Sequence, residues 1–221
     1  RIPVAFGDQG GWLYGDSYGV DGAEAAFHLG EKVDVTAGYG RFNTSDYDKN
    51  VEDQDAFYAR GAAKLGDGKL GVDYIKFTGD KKANTAAGYE LMGANLTIPV
   101  SDFRVFGEYW KNTTADDNDT AWNAGLGYGK LNLKKPGSFK LDVAYNDVDE
   151  NVFFGGTGLQ TNVLSYLTKD TATNVTFWNA IAEVALQKNV YLHGEYAFDV
   201  STEGNTKSEE DAWTVSLNYK F

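Results

Sequence analysis

This chain of 221 residues contains no cysteine, only three prolines and two histidines. The absence of cysteine excludes thiol chemistry and cysteine-based metal sites. The sequence also has no run approaching the roughly 18–20 apolar residues that a membrane helix requires, which excludes a helical membrane protein. Its formal net charge of −12 argues against nucleic acid as a partner, because the phosphate backbone is also anionic.

Aromatic residues are abundant instead, at 14% of the chain, and they mark its last segment. Apolar side chains there alternate with small or polar ones, at Trp213, Val215, Leu217, Tyr219 and Phe221. A strand sends alternate side chains to opposite faces, so this segment has one apolar face and one polar face. The pattern is typical of a transmembrane β-strand, with lipid on the apolar side, the lumen on the other, and aromatics at the interfaces.

The same alternation recurs upstream in about twelve segments, each near the ~9–11 residues that cross a bilayer at a tilt. It slips at Ile75 and Phe77, where we expect a β-bulge. Short and long connections alternate along the chain, which predicts tight turns at one end of the strands and long loops at the other. The sequence therefore predicts one domain, residues 1–221, folded as an all-β, transmembrane, antiparallel up-and-down β-barrel.

A soluble β-sandwich or soluble barrel also shows spaced, alternating strands. Two features disfavour it. The large aromatic side chains of the apolar faces lie near strand ends, and a ring of this many strands encloses more volume than its side chains fill.

The strand parity predicts which side chains face the lumen and which face the membrane interfaces. Carboxylates outnumber basic groups on the lumen side, which favours cations. The predicted pore-lining residues are Arg60, Lys64, Asp73, Arg104, Glu108, Lys140, Asp142, Glu183, His193 and Glu195. The predicted membrane-interface aromatics are Trp122, Tyr128, Trp178, Trp213, Tyr219 and Phe221.

Catalysis is not expected. The histidines, His28 and His193, stand in no recognisable sequence context with a nucleophile, and we predict no metal and no cofactor.

The long loops are acidic, which suits divalent cations shared with lipopolysaccharide or simply a solvated outer surface. The loop over residues 147–174 differs because it contains Phe153-Phe154 and Leu164-Ser165-Tyr166-Leu167. We expect it to fold into the barrel mouth as a constriction, or else to pack on a neighbouring subunit.

The segment Trp122-Asn123-Ala124-Gly125-Leu126-Gly127-Tyr128-Gly129-Lys130, followed by Lys134-Lys135-Pro136-Gly137-Ser138-Phe139, resembles bacterial porins that carry an N-terminal S-layer-homology domain. In that family the extra domain tethers the outer membrane to the cell wall. The final Tyr219-Lys220-Phe221 resembles the signal read by the barrel-assembly machinery. The resemblance implies a bacterial outer-membrane location, a homotrimer and about sixteen strands.

About twelve strands are counted here, and residues 1–7 resemble an internal strand of such porins. Two alternatives follow. Either the first strands and the tether domain precede this sequence, or the chain is a narrower barrel of about twelve strands. In both cases the expected function is passive diffusion of ions and small polar solutes. The alternatives are a barrel that only anchors a cell-wall tether or adhesin, and a membrane-embedded hydrolase.

Overall fold

The computed structural model describes residues 2–6, 17–42, 53–78, 88–152, 167, 174–203 and 210–220. These residues form twelve β-strands. Across these ranges, helices with the length and apolar character to cross a membrane are not found. The strands are β1 (Ile2–Ala5), β2 (Ser17–Leu29), β3 (Val33–Phe42), β4 (Gln54–Leu65), β5 (Gly68–Phe77), β6 (Glu90–Val100), β7 (Phe103–Asn112), β8 (Thr120–Gly129), β9 (Phe139–Val148), β10 (Asn174–Gln187), β11 (Val190–Glu203) and β12 (Ala212–Tyr219).

All twelve strands belong to one sheet in which each strand pairs with its neighbours in sequence, from β1 through to β12. Every pairing is antiparallel, which is an up-and-down topology. The predicted fold class and strand number are therefore confirmed. Within the described ranges no pairing joins β1 to β12, so these two strands are the ends of the strand order.

Most connections are short at one end of the sheet and longer at the other. Two to nine residues join the strands at one end, here called the turn end, and the β4–β5 turn is only Gly66-Asp67. Gly66 has a φ of 63°, a conformation that a residue without a Cβ adopts at little cost. The other end, here called the loop end, includes connections over residues 43–53, 78–89 and 149–173.

The predicted bulge in β5 was wrong. Pairing with β4 runs without a shift from Ala56 opposite Phe77 to Leu65 opposite Gly68. Ile75 and Phe77 keep the strand's parity and point to the interior face, where both are buried. The alternation slips in the sequence because the interior itself is apolar near the loop end, not because the backbone is irregular.

An irregularity does occur in β11, where the pairing with β10 shifts between Thr176 and Trp178. Asp199 lies there with a φ of 54° and is exposed, whereas Val200 is 6% exposed and joins the interior. An uninterrupted alternation along β11 predicts Asp199 on the lumen side and Val200 on the outer face, so this prediction from parity is wrong at both residues. The extra residue of a bulge reverses the face to which each following side chain points.

The outer face of the sheet is apolar, with aromatic rings in contact near both ends of the strands. At the turn end, Tyr128 lies with its ring centroid 4.9 Å from that of Phe103 and 5.8 Å from that of Phe139. At the loop end, the Tyr145 ring lies 5.6 Å from Trp122 and 5.4 Å from Trp178. Two aromatic bands flanking an apolar belt are typical of the outer surface of a membrane barrel.

The interior face is also apolar near the loop end, where it holds the largest buried cluster. Each member is at most 9% exposed, and every strand contributes at least one, so the sheet curls around a common interior. We call this cluster the apolar layer. Its described members are Val4, Phe6, Val20, Phe42, Ala56, Tyr58, Ile75, Phe77, Leu91, Trp110, Ala121, Val148, Val152, Val175, Phe177, Ala197, Val200 and Ala212.

Candidate functional site

Six charged or ionisable side chains form a continuous ladder across the interior face, on the turn-end side of the apolar layer. They come from four strands, β7, β9, β10 and β11, whose antiparallel register brings their inward positions side by side. We call this set the charged ladder. Its members are Arg104, Lys140, Asp142, Glu183, His193 and Glu195, all predicted from the sequence as pore-lining.

The first contact of the charged ladder crosses an entire strand. Arg104 on β7 and Asp142 on β9 both pair with Gly127 on β8, which lies between them. The Arg104 Nη2 atom donates to Asp142 Oδ1 directly above Gly127. A Cβ at Gly127 would overlap the side chains of both residues, so the glycine makes room for this ion pair.

The ladder then continues through Lys140. Its Nζ lies 2.9 Å from Asp142 Oδ2 and 3.6 Å from Glu183 Oε2. The Asp142 side chain is 2% exposed and the Lys140 side chain 32%. Asp142 thus has two cationic partners, which a buried carboxylate needs to offset its desolvation.

His193 ends the ladder between two carboxylates. Its Nδ1 lies 3.1 Å from Glu183 Oε1, and its Nε2 lies 2.8 Å from Glu195 Oε1. The register places Ser216 of β12 directly opposite His193. The hydroxyl, however, accepts a hydrogen bond from Asn218, and both imidazole nitrogens contact carboxylates. His193 therefore has no ring nitrogen left to accept a proton from Ser216, as a general base would.

The other histidine, His28, lies 2.5 Å from Asp34 through Nδ1, and both side chains are largely exposed. Among the residues that the structure describes, no group of three or more potential ligands is arranged to hold a metal ion.

Between the charged ladder and the apolar layer lies a band of buried polar side chains, here called the polar band. Adjacent register partners include Asn95, Glu108, Asn123 and Asn146, each at most 4% exposed. Both amide atoms of Asn123 lack a protein hydrogen-bond partner. Asn95, Glu108 and Asn146 each have a hydrogen bond within the protein, as buried polar groups usually do.

Three further predicted pore-lining residues, with Glu108, lie outside the charged ladder. Arg60 Nε lies 3.6 Å from Asp73 Oδ1, and Asn95 donates to Asp73 Oδ2 at 3.4 Å. Lys64 is exposed beside the β4–β5 turn. All ten predicted positions thus lie on the interior side of the strand alternation, and their role in a pore stays a prediction.

The predicted interface aromatics that the structure describes lie on the outer face. Their exposed fractions run from 37% at Trp122 to 72% at Trp213. Tyr128, Trp178 and Tyr219 lie between these values, and Phe221 lies outside the described residues. Their contact with a membrane interface remains a prediction.

Of the predicted constriction loop, residues 147–152, 167 and 174 are described, whereas Phe153, Phe154 and residues 164–166 lie outside the described residues. Val152 is a fully buried member of the apolar layer, and Leu167 packs against that layer. Asn112 donates to the Asn151 carbonyl at 2.7 Å, which ties the start of this loop to the end of β7. These described parts of the loop therefore turn towards the interior.

Sequence reasoning did not single out the interior glycines or the aromatics that cover them. Tyr58 on β4 crosses Gly38 on β3 and donates to Glu24 Oε2 on β2 at 2.7 Å. A Cβ at Gly93 would lie 2.6 Å from three ring atoms of Trp110. These contacts could have been recognised in the sequence from a glycine at an inward position, with large side chains at the inward positions of the neighbouring strands.

Comparison with known proteins supports the architecture. No family model matches the chain, and no curated protein matches it. The crystal structure of OccK10 (OpdN) from Pseudomonas aeruginosa, an outer-membrane porin, is similar over 91% of this chain with a TM-score of 0.51 and 13% sequence identity. The chain has a porin-like β-barrel fold. It spans 61% of the OccK10 chain, so the likeness concerns the fold and covers about three-fifths of that protein.

Proposed function

We propose that this protein is a porin of a bacterial outer membrane, through which ions and small polar solutes diffuse passively. The observation that carries the proposal is the charged ladder, which runs across the interior of a barrel whose outer face is apolar. Charged groups of both signs on a barrel interior set the field that permeating ions experience. A purely structural interior would be filled more favourably by apolar side chains.

The outer face supports the membrane part of this proposal. Exposed apolar side chains follow β12 at Trp213, Val215, Leu217 and Tyr219, each at least 48% exposed. Exposure of such a continuous apolar surface to water is unfavourable, whereas its contact with lipid is not.

The proposal includes partners that follow from this setting. They are outer-membrane lipid, lipopolysaccharide at the acidic loop end, and the barrel-assembly machinery that reads the C-terminal strand. The resemblance to porins supports a homotrimer. We propose neither a nucleic-acid partner nor an enzymatic activity.

A second function is favoured by one specific observation, which is the apolar layer. A barrel that serves only as the anchor of a tether or adhesin needs no aqueous path, and the described interior near the loop end is lined by buried apolar side chains.

Reconstitution of the purified protein into planar lipid bilayers separates the two functions. A porin is expected to give stepwise, persistent current increments in potassium chloride, because its interior is hydrated. An anchor with a filled interior gives no steady current, and that result would reject the porin assignment. Heat-dependent migration on gels and a β-sheet circular dichroism spectrum confirm that the reconstituted protein is folded.

A further inference from the structure

The interior is divided into three zones of different chemistry along the barrel axis. The charged ladder lies towards the turn end, the polar band lies next, and the apolar layer lies towards the loop end. Members of the apolar layer come from the loop-end portions of all twelve strands. An ion that crosses the interior must therefore pass the apolar layer as well as the charged zones.

The apolar layer is closely packed. The ring centroid of Phe42 lies 5.7 Å from that of Tyr58 and 5.7 Å from that of Phe77, in edge-to-face arrangements. Phe6 adds contacts at 6.4 Å to Phe42 and 6.2 Å to Tyr58. These contacts give the β3–β5 side of the layer a continuous apolar surface. An ion leaves its hydration shell in an apolar constriction only at a high free-energy cost.

Trp110 is the largest of the fully buried side chains and lies where the apolar layer meets the polar band. Its ring lies against Gly93, its register partner on β6, where the absent side chain provides the space. Its Nε1 donates to Glu108 Oε1 in the polar band at 2.5 Å. The ring is thus held both by close packing and by a hydrogen bond, which fixes its orientation.

From this arrangement we infer that the apolar layer is the permeability barrier of the channel and that Trp110, its largest fully buried side chain, contributes most to that barrier. This inference rests on the proposed porin function, and it adds the position along the barrel axis at which the passage of ions is limited. The charged ladder then governs which ions approach the barrier from the turn end, and the apolar layer governs how many cross it.

The direct test compares single-channel conductance of the wild type, Trp110→Ala and Trp122→Ala in planar bilayers. Trp122 is the matched control because it lies on the outer face of the adjacent strand β8. We expect Trp110→Ala to raise conductance at least about twofold, because it opens space in an apolar constriction. Trp122→Ala is expected to leave conductance unchanged.

A second variant preserves volume in case removal of the indole prevents folding. Val148 and Val175 are register partners in the apolar layer, and their replacement by Thr adds hydroxyl groups without changing size. The double variant Val148→Thr/Val175→Thr is expected to raise conductance, because a more polar constriction is more readily wetted. The control is Val72→Thr/Val105→Thr on the outer face.

The outcomes separate this inference from the porin assignment. If the wild type conducts and neither folded interior variant conducts more, the barrier lies elsewhere and the inference is wrong, while the porin assignment stands. If the wild type is silent and the interior variants conduct, the apolar layer is the barrier that closes the interior, while the porin assignment fails for the native protein. If no folded protein conducts, both proposals fail.

Discussion

At the scale of single residues, the interior is built around positions where a side chain is absent. Gly127 allows Arg104 and Asp142 to meet across an intervening strand, and Gly38 allows Tyr58 to reach Glu24. A glycine inside a strand ordinarily weakens it, because it has no side chain to pack and greater backbone freedom to lose. Here the interaction that each glycine permits, between residues two strands apart, offsets that loss of strand stability.

The substitution Gly127→Ala tests this role directly. Its new Cβ would displace the charged ends of Arg104 and Asp142, which leaves a carboxylate of 2% exposure with one fewer partner. We expect the free energy of unfolding to fall by about 1–3 kcal/mol, the cost of an unmade buried hydrogen bond. Urea unfolding in lipid vesicles, followed by tryptophan fluorescence, measures the change.

Gly194→Ala is the matched control for this substitution. A Cβ at Gly194 would have its nearest neighbours at 3.9 Å, which is ordinary van der Waals contact. An equal loss of stability in both variants would contradict a specific role for Gly127.

At the scale of elements, each strand has side chains that alternate between the outward and inward faces. The polarity of the inward side chains changes between the turn end and the loop end. On β12 the outward positions are apolar along the whole strand, whereas the inward Thr214, Ser216 and Asn218 are polar. On β5 the inward Ile75 and Phe77 are apolar because they enter the apolar layer. A strand near the loop end is therefore apolar on both faces, which periodicity alone does not distinguish from a bulge.

The two faces of β12 are expected to respond differently to charge. Leu217→Arg puts a guanidinium on the outward face, where a charge near the bilayer midplane costs about 2–4 kcal/mol. Ser216→Arg puts the same group on the inward face, opposite His193 and within a zone that already holds charges. Leu217→Arg should therefore lower the unfolding free energy and the folded yield much more than Ser216→Arg. Similar losses for both would indicate that the outer face of β12 does not contact lipid.

At the scale of the whole molecule, charge and apolar packing are segregated along the barrel axis. The inward carboxylates outnumber the inward basic groups, which favours cations, although the charged ladder pairs most of its members. The inward carboxylates are Glu24, Asp34, Asp73, Glu108, Asp142, Glu183 and Glu195, against Arg60, Lys64, Lys69, Arg104 and Lys140.

The balance predicts a change in ion selectivity when a ladder carboxylate is neutralised. Glu183→Gln removes a negative charge that lies 3.6 Å from Lys140. The positive charge of Lys140 is then less fully neutralised, so the barrel interior becomes more positive. We expect the reversal potential in a potassium chloride gradient to show cation preference in the wild type and a shift towards anions in Glu183→Gln. Asp67→Asn, which removes a charge in the exposed β4–β5 turn, is the control. An identical shift in both variants would assign selectivity to overall charge rather than to the ladder.

The sequence by itself determined the strand number, the up-and-down order and the interior or exterior side of nearly every strand residue, because a two-residue period is a local property of the chain. The tertiary structure alone decided which interior residues meet. Arg104 and Asp142 are 38 residues apart, and Trp110 and Gly93 are 17 apart, so their contacts depend on register between strands. Register also shifted the parity at Asp199, and it assembled the apolar layer from one or two residues of each strand, none of which is distinctive within its own segment.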